Sequence, residues 1–284
     1  MRPTGTAPTW TWEVPGPPGA PALLLLHGWT ATAALNWYGS LEYLGSSFRA
    51  VAPNLRGHGR QGRGAPPFSF EGCADDLAAL AAELGLERVT VVGYSMGGAV
   101  AQVLARRHRE LVNGVVLCAT ASSFAEELPL RPAVRAAGRL AAGAARRWPR
   151  PAARFLAWRV DRHDQAVARR RVLGTTGVTG SGRAQPEWAL AERSLSDLAA
   201  FIEAGAALNA FNSSEWLPGL RVPAAVVVTA LDTTVAPWRQ EALAALLPGA
   251  RRYGVAAGHD AVVTKPDAFL PVLSEACSVL AERP

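Results

Sequence analysis

The sequence predicts an α/β fold, in which helices flank a mostly parallel, twisted sheet and a helical segment is inserted into the chain. Short apolar and β-branched runs alternate with stretches of helical periodicity up to residue 120, and the alternation resumes at residue 223. The apolar run at residues 21–26 is typical of a parallel strand covered on both faces. These observations indicate one sheet domain that carries an insertion.

Each predicted element depends on a local pattern. Residues 9–14 alternate as an edge strand does. Asn36 or Ser40 is predicted to cap a helix that runs towards Leu44. The remaining predictions are strands at residues 21–26, 49–53, 89–92, 114–118, 223–229 and 250–255, and helices at residues 70–84, 96–107, 238–247 and 266–280.

The insertion is predicted at residues 122–216, which hold Ala-, Arg- and Leu-rich helical stretches and no convincing strand. The sheet domain then consists of residues 1–121 and 217–284. A chain of 284 residues with 49% hydrophobic residues can bury a core of this size.

The most specific local pattern places Ser95 between a β-branched strand and a helix. Gly93 and Gly97 flank it at two positions on either side, which makes G-x-S-x-G. Such a turn offers a hydroxyl on a strained backbone, and only very small residues fit at the flanking positions. Ser95 is therefore predicted to be a nucleophile. The alternative is a glycine-rich turn that carries a surface serine.

Composition limits where the protein acts. No apolar run approaches the ~18 residues of a membrane span, and the first residues show no secretory signal. Cys73, Cys118 and Cys277 are too few and too scattered for a disulfide framework or a zinc site. We therefore predict a cytoplasmic protein without stable membrane insertion.

The charge is unevenly distributed. The net charge is +6, yet residues 131–171 alone contain twelve arginines against two aspartates. Solvated helix faces explain this excess. Recognition of a carboxylate, of a coenzyme phosphate or of an anionic lipid surface is the alternative. No nucleic-acid partner is predicted, because no binding motif accompanies the charge.

A nucleophilic serine needs a base, and the base needs an orienting acid. Asp232 follows one predicted strand of the second half and His259 follows the next, so the chain order is Ser95, Asp232, His259. With this order, the chain resembles the serine hydrolases of the α/β-hydrolase fold. The resemblance covers nearly the whole chain through His27-Gly28-Trp29, Arg56-Gly57-His58-Gly59, Gly93 to Gly98, Asp232-x-x-Val-x-Pro and Gly258-His259.

The resemblance implies roles for further residues. Ser95 would attack an acyl carbon, His259 would act as base and Asp232 would orient it. The backbone N–H groups of Trp29 and Met96 would form the oxyanion hole. Residues 122–216 would form a cap over the site, and the candidates for lining the substrate pocket are Tyr94, Trp158, Trp188 and Val235.

The other histidines have structural interpretations. His27 and His58 are predicted to brace their loops, and His108 and His163 are predicted to be solvated helix residues. Asp260 adjoins His259 and is badly placed to reach its ring. The chain departs from the family at Asn54, where the family often has Asp, and we expect this to affect loop bracing more than catalysis.

The predicted function is hydrolysis of an ester, lactone or thioester of a small to medium apolar molecule, with no cofactor or metal. Hydrolysis of a carbon–carbon bond, perhydrolysis or acyl transfer by the same three residues is the first alternative. A ligand-binding protein with a vestigial triad is the second. Epoxide hydrolases and haloalkane dehalogenases are disfavoured, because those relatives have Asp where Ser95 stands. Monomer and homodimer both stay open.

Overall fold

The computed structural model describes residues 8–62, 65–124, 131–148, 151, 155, 191–193 and 195–281. Within these residues, seven strands form one sheet: β1 (Thr11–Val14), β2 (Ala22–Leu26), β3 (Arg49–Pro53), β4 (Val89–Tyr94), β5 (Val112–Cys118), β6 (Ala224–Thr229) and β7 (Arg251–Val255). The strands lie in the order β1-β3-β2-β4-β5-β6-β7. Each predicted strand is present, and its bounds differ from the prediction by at most two residues.

The sheet is parallel except at one edge. β1 pairs antiparallel with β3, so that Thr11 faces Pro53, and all other neighbouring pairs are parallel. The prediction of an edge strand at the start of the chain is therefore confirmed. Because parallel strands end at the same edge of a sheet, the loops that follow β2, β3, β4, β6 and β7 lie along one rim.

Helices cover both faces of the sheet. Their bounds are α1 (Ala33–Trp37), α2 (Leu41–Gly45), α3 (Phe70–Glu83), α4 (Met96–Arg107), α5 (Arg131–Arg147), α6 (Leu198–Ala210), α7 (Pro237–Leu246), α8 (Ala261–Thr264) and α9 (Pro266–Ala281). The helix predicted to run towards Leu44 is α2, and Ser40 stands at its N-cap position, whereas Asn36 lies within α1. Thr32 caps α1 by accepting from the Leu35 N–H, whereas Ser40 precedes α2 without a side-chain capping bond.

Strand β2 shows why its sequence is apolar at every position. Leu24 and Leu26 belong to the core cluster that also contains α3 and α4, while Leu23 and Leu25 belong to the cluster on the opposite face with α9. Successive side chains of a strand point to opposite faces, so a strand covered on both sides needs apolar residues throughout.

The segment predicted to be an insertion (residues 122–216, called the insertion below) lies between two strands that are neighbours in the sheet. β5 ends at Cys118 and pairs in parallel with β6, where Cys118 faces Val227. Ser123 and Asn212 form an isolated bridge where the insertion leaves and rejoins the sheet region. Its helices α5 and α6 pack against each other. In the described part of the chain, no helix has both the length and the apolar character needed to cross a membrane.

Candidate active site

Ser95 lies at the sharp turn between β4 and α4, on the carboxyl rim of the sheet. Its φ of 55° and ψ of −116° are strained for a residue with a side chain. The Ser95 N–H donates to the Cys118 carbonyl (2.9 Å), and the Ser95 carbonyl accepts from the Thr120 hydroxyl (2.7 Å). These bonds come from the next strand, so the core itself holds the strained turn.

The flanking glycines allow α4 to approach the sheet. A Cβ on Gly93 would lie 2.5 Å from the Gly97 carbonyl oxygen. A Cβ on Gly97 would collide with the backbone of Leu26, and one on Gly98 with the side chain of Thr120. The expectation that only very small residues fit here is confirmed.

Three side chains from three strand ends meet at this rim. His259 Nε2 lies 3.0 Å from Ser95 Oγ, and His259 Nδ1 lies 2.8 Å from Asp232 Oδ2. A carboxylate only accepts, so Nδ1 carries the proton and Nε2 is left to accept from the serine hydroxyl. The geometry suits removal of the Ser95 proton by the imidazole.

Asp232 is buried and fully hydrogen-bonded. Its Oδ1 accepts from the N–H groups of Thr234 (2.8 Å) and Val235 (2.9 Å). Burial alone would raise its pKa, but the hydrogen bond and charge of His259, with the bonds from Val235 and Thr229, lower the pKa of Asp232 below its usual value. The carboxylate therefore stays ionised beside the ring.

Two supporting residues were not found from the sequence. Gln240 is buried on α7, and its Nε2 contacts Asp232 Oδ2 (3.2 Å) and the Val235 carbonyl (2.8 Å). The Thr229 hydroxyl donates to the same Asp232 oxygen (2.8 Å). The one available signal was a glutamine on a helix directly after the acid's loop, and that pattern is too common to interpret.

Tyr94 and Val235, two of the residues predicted to line the pocket, are both buried beside the site. Tyr94 is 3% exposed, and its hydroxyl donates to the His259 carbonyl (2.7 Å), so it supports the histidine from within the core. Val235 is 4% exposed, and its N–H holds Asp232. Both residues stabilise the site through bonds to its members.

The loop between β2 and α1 (residues 27–32, the β2–α1 loop) carries Trp29, the predicted oxyanion donor. The Gly28 N–H donates to Asn36 Oδ1 (3.1 Å), so this amide is already used. The Trp29 indole Nε1 donates to the Phe201 carbonyl on α6 (2.9 Å). A Cβ on Gly205 would lie 2.7 Å from the Trp29 ring, so the indole packs against this glycine. Met96, the second predicted donor, starts α4, where an N–H has no partner inside the helix.

His27 and His58 brace the rim, as predicted. The His27 Nδ1–H donates to the Gly28 carbonyl (2.8 Å), and its Nε2 accepts from the Leu55 N–H (2.9 Å). Burial, with a smaller effect of the nearby His58, lowers the pKa of His27 to about 3. Burial also lowers the pKa of His58 to about 4, although its ring donates to the Arg56 carbonyl. Both rings are therefore neutral, structural groups.

The remaining predicted residues are placed as follows. His108 is partly exposed at the end of α4, in agreement with the prediction, and its Nε2 lies 2.8 Å from an Asp75 carboxylate oxygen. Trp158, Trp188 and His163 lie outside the described residues. Within the described ranges, no group of three His, Cys, Asp or Glu side chains is arranged to hold a metal ion.

A cavity of about 780 Å³ lies away from Ser95. Residues of α3, α4, α5 and α6 line it, among them Phe70, Arg106 and Glu203, together with Trp216 from the segment that follows α6. None of Ser95, Asp232 and His259 is among its lining residues.

Comparison with known proteins agrees with this architecture. A bifunctional esterase/perhydrolase of Acinetobacter calcoaceticus is 36% identical over 104 residues, covering 36% of this chain and 37% of that protein. A soluble epoxide hydrolase of Corynebacterium sp. (strain C12) is 36% identical over 90 residues, covering 32% of this chain and 31% of that protein. The matched stretches thus span well under half the length of these curated relatives.

Solved structures match over almost the entire chain. The enol-lactonase from Burkholderia xenovorans LB400 superposes with a TM-score of 0.73 at 21% identity, covering 94% of this chain and 95% of that one. A family model described as alpha/beta hydrolase fold matches residues 21–266. With the sheet order and the strand-end loops described above, this chain belongs to the α/β-hydrolase fold family.

Proposed function

We propose that this protein is a serine hydrolase that cleaves an ester, lactone or thioester of a small to medium apolar substrate. The observation that carries the proposal is the unbroken series of contacts from Ser95 Oγ to His259 Nε2 (3.0 Å) and from His259 Nδ1 to Asp232 Oδ2 (2.8 Å). A serine at its ordinary pKa is a weak nucleophile, and an adjacent base is what activates it.

The proposed reaction has two halves. His259 takes the Ser95 proton as Oγ attacks the acyl carbon, and the imidazolium then gives that proton to the departing alcohol or thiol. A water molecule next loses its proton to His259 and attacks the acyl-enzyme; the imidazolium returns that proton to Ser95 Oγ as the bond to the acyl group breaks and the acid is released. Asp232 stays ionised throughout and stabilises the imidazolium, in keeping with its lowered pKa.

The N–H groups of Trp29 and Met96 are the proposed donors to the negative oxygen of the tetrahedral intermediate. Two facts support this choice: the Gly28 N–H is bonded to Asn36, and Met96 begins α4 directly after the nucleophile. One such donor is typically worth about 10²–10³ in kcat.

Perhydrolysis is the second candidate, because the Acinetobacter relative is named an esterase/perhydrolase. In that reaction hydrogen peroxide replaces water at the acyl-enzyme, and the first half is unchanged. The carboxyl that is released then carries a peroxy group. Peracid formation in acetate and peroxide, measured beside ester hydrolysis, separates the two activities.

The test combines an assay and a probe. We expect hydrolysis of p-nitrophenyl acetate or butyrate and labelling of Ser95 by a fluorophosphonate. Ser95→Ala should lower kcat by about 10⁶ and abolish labelling, since the nucleophile is lost. Ser40→Ala, at a buried serine outside the site, is the control and should keep both activities. Folded wild-type protein that is neither active nor labelled would refute the proposal. So would opening of epoxides in place of ester cleavage.

A further inference from the structure

Glu192, a residue of the insertion, has a carboxylate that is buried at the rim of the sheet domain. Glu192 is 3% exposed, and its Oε2 accepts from Trp12 Nε1 (3.2 Å) while its Oε1 accepts from Asn54 Nδ2 (2.5 Å). Burial raises the pKa of Glu192, and the bonds from Asn54 and Trp12, with the charge of Arg60, act in the opposite direction. Trp12 and Asn54 are neutral donors, so burying the Glu192 carboxylate costs free energy that these two hydrogen bonds only partly offset.

Asn54 connects this carboxylate to the β2–α1 loop. Asn54 follows β3, and its Oδ1 accepts from the N–H of Ala33 (2.9 Å), the first residue of α1. Asn36 Oδ1 holds the start of the same loop through the Gly28 N–H (3.1 Å). Two side-chain amides therefore fix the two ends of the segment that carries Trp29.

The polarity of these contacts determines how Asn54 is oriented. The Ala33 N–H can only donate, so Asn54 must present its oxygen to it, and its NH₂ group then faces Glu192. An ionised carboxylate only accepts, which matches that NH₂ group. With the amide turned over, Asn54 would place NH₂ against N–H at one end and oxygen against carboxylate at the other. Glu192 therefore selects the orientation of Asn54 that holds the loop.

We propose that Glu192 is a positioning residue for the β2–α1 loop: it orients Asn54, and Asn54 holds the loop so that the Trp29 N–H can face the developing oxyanion. This inference rests on the proposed function, in which that N–H stabilises the tetrahedral intermediate. It assigns to the insertion a role in the chemical step, carried by one hydrogen-bonded series from Glu192 to Ala33.

The test exchanges donor and acceptor in the contact between Asn54 and Glu192, first at position 54 and then also at position 192. Asn54→Asp keeps the shape and the acceptor for the Ala33 N–H, but it sets two carboxylates against each other. We expect kcat to fall by up to about 10²-fold, the effect of an ångström-scale displacement, with KM within about threefold. Adding Glu192→Gln restores complementarity, because the new amide donates its N–H to the carboxylate introduced at position 54 while its oxygen accepts from Trp12. The double variant should return to within about threefold of the wild-type kcat.

Two further variants complete the design. Glu192→Leu removes the acceptor without adding charge, and we expect kcat to fall about tenfold with KM within about threefold. If Asn54→Asp does not fold, Glu192→Leu still tests the inference. Ser196→Ala is the control: Ser196 Oγ accepts from the Gly59 N–H (2.8 Å), another buried bond between insertion and core that does not involve the β2–α1 loop. Its kcat should stay within about twofold.

Amide hydrogen exchange of residues 27–33 gives a readout independent of activity. Exchange should be faster in Asn54→Asp, near wild type in the double variant, and unchanged in Ser196→Ala. Wild-type protein without hydrolysis or labelling would refute the proposed function, and exchange would still test the coupling. The inference would be overturned if both Asn54→Asp and Glu192→Leu kept the kcat and the amide hydrogen exchange of the wild type. A double variant as impaired as Asn54→Asp would also overturn it.

Discussion

The Ser95–His259–Asp232 group and the β2–α1 loop lie on the same rim but are held by different parts of the molecule. The first group follows three strands of one sheet and is fixed by the core, through the Cys118 carbonyl, the Thr229 hydroxyl and Gln240. The β2–α1 loop is fixed by Asn36 and Asn54 and, through Phe201 and Glu192, by the insertion.

The two groups therefore depend on different parts of the chain for their positions. The strand ends can hold Ser95, His259 and Asp232 without help from the insertion, because the bonds of these residues are made within the sheet domain. The predicted oxyanion donor Trp29 depends on residues of the insertion, because its indole and the far end of its loop contact that segment. We therefore expect changes in the insertion to act on the oxyanion side of the rim.

The largest expected effect is on the side held by the core. Asp232→Asn should lower kcat by about 10⁴ with little change in KM, since the amide favours the wrong histidine tautomer. Asp260→Asn is the control, because Asp260 contacts Thr264 and stands at the N-cap position of α8. Steady-state hydrolysis of p-nitrophenyl butyrate measures both. A loss below tenfold in Asp232→Asn, or an equal loss in Asp260→Asn, would contradict the assignment of the acid.

The two sides should also respond differently to acid. The pKa values of His27 and His58 are lowered from 6.5 to about 3 and about 4, so between pH 6.5 and those values the unfolded chain binds protons that the native protein does not. Stability falls as pH drops through this window, by about 2 kcal/mol per histidine between pH 7 and pH 5. The lowered pKa of Asp232 acts in the same direction at lower pH, because its contribution to stability is lost only as pH falls below about 3.8.

Urea unfolding at pH 7 and pH 5 measures this difference. His58→Phe should remove about 2 kcal/mol of the pH dependence, because one of the two buried imidazoles is absent. His108→Gln is the comparison, since His108 is a partly exposed residue paired with Asp75. The same pH dependence in His58→Phe as in wild type would show that the buried ring does not carry it.

The smallest effect concerns the packing of the Trp29 indole. Gly205→Ala would place a methyl group 2.7 Å from the ring, so the indole must shift. We expect kcat to fall about tenfold with KM less affected, because a small displacement of the loop weakens the oxyanion contact. Gly143→Ala is a matched helix substitution with open space around its Cβ. It should keep wild-type kcat and gain about 0.5–1 kcal/mol of stability. Equal kcat in Gly205→Ala and Gly143→Ala would show that the packing of the Trp29 indole does not affect catalysis.

The sequence by itself determined the sheet, the turn at Ser95 and the order of the three residues. Each of these depends on short patterns: apolar runs for strands covered on both faces, and glycines where backbones approach closely. The bracing roles were also predicted, for His27 at the loop before Trp29 and for His58 at its glycine-rich loop. The predictions for Trp158 and Trp188 stay predictions.

Only the tertiary structure decided which side chains support the rim. Glu192 and Asn54 are 138 residues apart, and no local pattern marks either as the partner of the other. Tyr94 was assigned to the pocket because it adjoins Ser95, but alternation along β4 turns its side chain into the core, where it holds His259. Local patterns encode backbone requirements, whereas a buried polar pair is specified only when packing brings its two members together.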